Sequence, residues 1–208
     1  MQHPAPLRAS NTILPRRDTD TGVTTAGRDR GDQLRPVDRD LFDRLRQQQV
    51  GTVTVVTAVA RNNRSACLGG LGATPRAGFT TTSFTTVSLD PPRVSFSHDT
   101  AASTAPVLDR AEHVAVHLLA ANQTEAATVF ATAGIDPFAA YPYWEAGPFG
   151  LPLLTGVLGR LLCRVVHRIP VGDHTLVVAE PLALSVGVDG EPLLHQPGGY
   201  ATATPAVR

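Results

Sequence analysis

A chain of 208 residues with 42% hydrophobic and 17% charged side chains holds enough apolar material for one sizeable core, as a single domain or a domain with a tail. Its 18 basic and 18 acidic side chains cancel, which argues against a polyanion-binding surface and so against nucleic acid as a partner. No apolar run approaches the ~20 residues that cross a bilayer, and none follows the N-terminal arginines as a secretory signal requires.

The two cysteines, Cys67 and Cys163, match no zinc or disulfide framework, so a soluble protein of the reducing cytoplasm is expected, with no membrane contact. Residues 1–38 mix Pro, Thr, Gly, Arg and Asp without apolar periodicity. Such a stretch buries too little to offset its ordering entropy, and a disordered or irregular tail is expected there, followed by one domain over 39–203. Asp38 can cap a short helix whose Leu41, Phe42 and Leu45 share a buried face.

From Val50 to Val59 the β-branched, partly alternating pattern predicts a strand. Residues 61–78, rich in Asn, Gly, Pro and Arg, read as a connecting loop. The run Phe79–Ser88 is unusually dense in hydroxyls and is closed by Pro91 and Pro92. Arg93–Ser97 predicts a strand, Thr104–Asp109 a short helix, Val114–Leu119 a strand and Gln123–Ala131 a helix. Arg160–Ile169 reads as a strand with Arg160, Arg164 and Arg168 on one side and Cys163 and Val165 on the other. A turn at Pro170–Asp173 leads to the strand His174–Glu180, and Leu182–Val188 is a last strand-like piece. Closely spaced strands with a few short helices predict a mainly β fold, a barrel rather than a doubly wound sheet.

Several common motifs are missing. The glycines at 69, 70 and 72 run into Pro75 within a loop, unlike a Rossmann turn, and there is no phosphate-cradling P-loop and no G-x-S-x-G elbow. His113 and His117 stand four apart, but on a strand rather than a helix, so no metal is expected there and His117 reads as a core or interface histidine.

Three segments together resemble the flavin reductase-like family. Gly78–Pro92 is similar to the family's run of Gly, an apolar residue, Thr, then Ser-Phe, then Val-Ser-Leu-Asp-Pro-Pro. Val171-Gly172-Asp173-His174-Thr175 resembles its Gly-Asp-His turn, and Pro192–His195 with Gly198-Gly199-Tyr200 resembles its closing stretch. The likeness runs over about residues 40–200. It implies a six-stranded, FMN-binding split β-barrel with a few short helices, forming a homodimer with FMN or FAD near the subunit junction. It implies NADH or NADPH as hydride donor, passing a hydride from nicotinamide C4 to flavin N5, and a separate oxygenase that receives reduced flavin.

The resemblance also implies roles for particular residues. Thr82, Ser83, Phe84 and Thr85 would line the isoalloxazine and ribityl chain, where hydroxyls satisfy a polar ring edge without fixed charge. Ser97, His98, Ser103 and Thr104 would hold the flavin phosphate, and His174, oriented by Asp173, would place the nicotinamide. The bland alternatives are a Thr-rich segment that is simply a good strand and a His174 that merely opens the next one. The chain departs from the family at Asp99, where relatives carry Asn and where a carboxylate would repel phosphate, and at Ala101 and Ala102, which replace serines. Arg160, Arg164 and Arg168 could meet a dinucleotide's phosphates or form a solvated strand face. A flavin-dependent oxidase or oxygenase on the same barrel, or a non-catalytic flavin-binding protein, are the rival roles; the Gly-Asp-His turn favours the reductase.

Overall fold

The computed structural model describes residues 34, 36–60 and 75–202. Chain contacts divide the protein into two units, Met1–Asp38 and Arg39–Arg208. The expected tail lies almost wholly outside the described residues, as do residues 61–74, Cys67 and residue 203. In the second unit α1 (Arg39–Arg46) precedes β1 (Gly51–Thr52), β2 (Thr54–Val59), β3 (Arg76–Thr81), β4 (Thr85–Leu89) and β5 (Pro92–Asp99). Then come α2 (Ala105–Leu108), β6 (His113–Leu118), α3 (Thr124–Ala131), α4 (Pro137–Ala140), β7 (Trp144–Ala146) and β8 (Pro152–Leu154). The last described elements are β9 (Gly159–Val171), β10 (His174–Val186), β11 (Leu193–Gln196) and β12 (Gly199–Thr202).

Seven strands form one antiparallel sheet in the order β3-β2-β6-β9-β10-β5-β4. Two small sheets, β1-β11-β12 and β7-β8, flank it. The centre of the large sheet is buried on both faces, which is why β2 reads as a continuous apolar run rather than an alternation. Val56, Ala58, Val114 and Val116 face an inner core with Phe96, Cys163, Val177 and Ala179. Val53, Val55 and Leu119 face an outer core closed by α3, α4 and Leu193.

The sheet curls without closing. β3 and β4 are its two ends, yet they are consecutive in the chain, and Thr82–Phe84 carries one into the other. Phe79 of β3 reaches Phe96 of β5 with ring centroids 6.1 Å apart, across the inside of the curl. The architecture is thus mainly β and split-barrel-like, with seven strands where the resemblance implied six.

Four expectations are corrected. The strand expected over Val50–Val59 breaks at Val53, whose N–H donates to Leu193 and whose carbonyl accepts from Leu119, so β1 and β2 join different sheets. The loop expected over 61–78 gives way to a strand at Arg76, because Ala77 and Gly78 are small for packing and so carry no β signal. The helix α1 forms, but Phe42 is 59% exposed and Leu45 65%, so its apolar face is not buried among the described residues.

The fourth correction concerns Arg168. β9 and β10 pair with register shifts, and between Val178 and Ala179 the partner jumps from His167 to Val165, leaving Val166 as the extra residue of a bulge. The bulge exchanges faces. Arg160 and Arg164 stay outside, bonded to Glu145 and Glu180, while Arg168 pairs with inward Val177 and donates to the carbonyls of Leu108 and Ala111 at the end of α2.

His117 lies fully buried on β6, its Nδ1 3.0 Å from the Val55 carbonyl and its Nε2 without a hydrogen bond. Burial is the main cause that lowers its pKa from 6.5 to about 4, with the Val55 bond opposing and the Arg160 charge adding. The ring is therefore neutral in the fold, while the unfolded chain takes up a proton as pH falls below 6.5. Stability that is complete above pH 6.5 is lost progressively down to about pH 4. Urea unfolding at pH 7 and pH 4.5 should differ by about 2 kcal/mol on this account, and His117→Gln should flatten the difference. An equally steep profile in the variant would assign the acid sensitivity to another group.

Candidate functional site

Among the described residues β3 pairs only with β2, so its second edge presents unpaired backbone donors and acceptors. A groove follows that edge in two parts that share Ala131 at the end of α3. The first cleft, about 410 Å³, lies between Arg76–Phe79, the segment Ala102–Thr104 and the turn after α3. The second, about 620 Å³, is lined by Thr80, Thr81 and Thr82, the end of α1, and His195, Gln196 and Tyr200. Both volumes fall in the range of ligand pockets, roughly 300–1,000 Å³.

Local chemistry holds this edge in place. A Cβ on Gly78 would stand 2.5 Å from Phe130 and 3.0 Å from Phe138, so only glycine lets the α3 and α4 aromatics close over β3. Thr80 donates its hydroxyl to the Ala127 carbonyl at 2.7 Å, and Thr54 donates to the Thr81 carbonyl at 3.0 Å. The turn out of β3 is a local hydroxyl device: Ser83 donates its N–H to Thr81 Oγ1 at 3.1 Å, and the two hydroxyls share a bond of 2.8 Å. Ser83 Oγ then accepts the Ser97 N–H at 2.9 Å, clipping the end of the open edge to β5.

The anticipated site residues divide into two groups. Thr82 lines the second cleft, and Ser103 and Thr104 line the first. Ser83 and Ser97 are brought together, but as partners of each other. Phe84 packs on the inner core, and Thr85 lies exposed on β4 opposite Ser95. His98 is buried with its ring against Phe79, Nδ1 3.3 Å from the Asp99 carbonyl and Nε2 3.6 Å from Asp109, too far for a hydrogen bond.

His174 lines neither cleft. It stands exposed at the tip of the β9–β10 hairpin, where Gly172 takes φ 61° in the two-residue turn. Its Nδ1 is 2.7 Å from Asp173 Oδ1, and this hydrogen bond is the main cause that holds the Asp173 carboxyl below its ordinary range. The tip is stapled to the loop that leads to Ser103 and Thr104, because Thr100 donates its N–H and its hydroxyl to the Asp173 carbonyl at 3.1 and 2.9 Å. Asp99 Oδ1 accepts the Ala101 N–H at 2.7 Å and so shapes the same loop.

Sequence reasoning missed Arg76, the basic side chain on the first cleft, because it read that position as loop. It also passed over Phe130 and Ala131, whose helical pattern carries no sign of a ligand. Among the described residues no group of three or more His, Cys, Asp or Glu is disposed to hold a metal ion. The groove suits an elongated ligand with a hydrogen-bonding flat end at Thr80–Thr82 and an anionic end between Arg76 and Ser103–Thr104.

A family model described as "Flavin reductase like domain" matches residues 48–204. An NADH:FMN oxidoreductase of Rhodococcus qingshengii is 39% identical over 132 residues, which are 62% of this chain and 69% of that one. The NADH:FAD oxidoreductase SgcE6 of Streptomyces globisporus, solved with NAD and FAD fragments, aligns with TM-score 0.71 and 27% identity over 86% of this chain and 100% of that one. BorF, the flavin reductase component of a bacterial two-component tryptophan halogenase, aligns with TM-score 0.65 and 25% identity over 79% and 98%.

The Gly78 contact predicts that Gly78→Ala destabilises the chain by about 1–3 kcal/mol through overpacking. Denaturant unfolding checks it, and an unchanged midpoint would mean that Phe130 can move away freely.

Proposed function

The chain belongs to the flavin reductase-like family, and on that premise we propose that it is an NAD(P)H-dependent flavin reductase that supplies reduced FMN or FAD to a separate monooxygenase. The observation that carries this reading is the groove along the open edge of β3, with polar backbone at one end and Arg76, Ser103 and Thr104 at the other. A flavin fits that donor set: its pyrimidine edge needs both donors and acceptors, and its phosphate needs hydroxyls and positive charge.

When bound, the flavin supplies the redox chemistry, taking a hydride from the dihydronicotinamide. The chain's own part is placement. The β3 edge and Thr82 orient the ring end, and Ser103 and Thr104 hold the phosphate end. No nucleophile or general base is required of the protein for hydride transfer.

His174, its ring turned by Asp173, is the residue that places the nicotinamide carboxamide. The Thr100 staple ties its hairpin tip to the phosphate loop of the same chain. Because His174 lines neither cleft of its own chain, a homodimer, in which a neighbouring subunit completes the site, accounts for its position. Leu184 and Val186 on β10, 70% and 83% exposed, give such a dimer an apolar surface to cover. The catalytic domain on this reading is residues 39–203, within the second unit of the chain. No helix among the described residues is long and apolar enough to cross a membrane, and a cytoplasmic enzyme accords with that.

Steady-state oxidation of NADH and NADPH with added FMN or FAD tests the assignment. Flavin should stimulate turnover well above background; if neither flavin does so with either nicotinamide, the reading fails. His174→Ala should raise the KM for NADH by up to roughly tenfold, as the loss of one hydrogen bond does, with a smaller change in the KM for flavin. An unchanged NADH KM would remove His174 from the nicotinamide site.

A further inference from the structure

The phosphate loop Asp99–Thr104 is poorly furnished for an anion. Asp99 and nearby Asp109 carry negative charge, and Ala101 and Ala102 offer no hydroxyl. Only Ser103 and Thr104 present side-chain donors to the first cleft from this wall. Arg76 stands on the opposite wall, and among the cleft's described lining residues it is the one cation.

Arg76 is held in a defined pose. Its guanidinium carbon lies 4.8 Å from the ring centre of Phe138 and 5.0 Å from that of Trp144. Trp144 is itself fixed, since its indole N–H donates to the Phe138 carbonyl at 3.0 Å. Asp136 completes the cradle: Oδ1 accepts the Phe138 N–H at 2.9 Å at the start of α4, and Oδ2 accepts from Arg76 Nη2 at 3.2 Å. That last bond is long and engages one edge of the guanidinium. Arg76 remains 37% exposed at the cleft, with further N–H donors for phosphate oxygens. A lysine could not reproduce the pose, because it lacks the flat face that stacks on aromatic rings.

We propose that Arg76 is the phosphate-binding cation of the flavin site, held by Phe138, Trp144 and Asp136, so that the chain grips a flavin nucleotide in preference to phosphate-free flavin. This rests on the flavin reductase reading. Arg76 thereby makes up for a loop that carries the Asp99 carboxylate and no hydroxyl at Ala101 and Ala102. The partial pairing with Asp136 also moderates the grip, which suits a flavin that must leave for another enzyme.

The test compares FMN with riboflavin, which shares the ring and ribityl chain but carries no phosphate. Flavin fluorescence titrations would use the full chain as wild type, Arg76→Gln and Arg76→Lys. Arg76→Gln should raise the Kd for FMN about tenfold or more, as loss of a charge-assisted bond does, and leave riboflavin within about twofold. Arg76→Lys should recover only part of the FMN affinity, and added salt should weaken FMN binding more in wild type than in Arg76→Gln. Unchanged FMN binding in Arg76→Gln overturns the proposal, and so does an equal loss of both ligands, since Arg76 would then merely support the aromatic cluster. If wild type binds neither flavin and neither stimulates NADH oxidation, the functional reading falls together with this one. If wild type turns over FMN normally and Arg76→Gln binds it equally well, only the Arg76 assignment falls.

Discussion

β3 is hydrogen-bonded to β2 on one side and to no described strand on the other, and the candidate site is a consequence of that asymmetry. An open strand edge is usually a hazard, because its unpaired amides and carbonyls invite another strand. Here the edge is fenced. Phe130 and Phe138 close over Gly78, Thr80 is tied to α3 through Ala127, and the Ser83–Ser97 clip bends the chain away into β4. The polar backbone is left facing the two clefts that run along β3.

The same economy governs the far wall. The loop from Asp99 to Thr104 is shaped by the Asp99 carboxylate, stapled to the β9–β10 tip by Thr100, and backed by α2, whose last carbonyls are capped by Arg168. A change at any of these points therefore reaches the proposed phosphate end and the His174 tip together. Burial lowers the Arg168 pKa, and the Asp109 charge offsets only part of that effect. That arrangement exists because of one extra residue, Val166, in a single strand.

Much of the fold was legible in the letters. The apolar runs of β2 and β6, the short helices at 105–108 and 124–131, and the Gly172 turn each depend on neighbours within a few positions. The hydroxyl-rich segment also stands out in composition, but its hydroxyls have separate duties. Thr82 faces the groove, Ser83 clips β5, and Thr85 lies on the outer edge strand, a division that composition cannot reveal.

By itself the sequence determined the class of fold and the positions of most strands, since propensity, periodicity and turn chemistry are local properties, while the kind of ligand to look for came from the resemblance of three segments to a family. Only the tertiary structure decided that β3 begins at Arg76, that Arg168 turns inward, and that Arg76 lies over Phe138 and Trp144, 62 and 68 residues further along. Those outcomes depend on strand register and on contacts between distant segments. A shift of one residue in pairing moves a side chain to the opposite face of a sheet, and no local pattern around Val166 or Arg76 records which partner will be there.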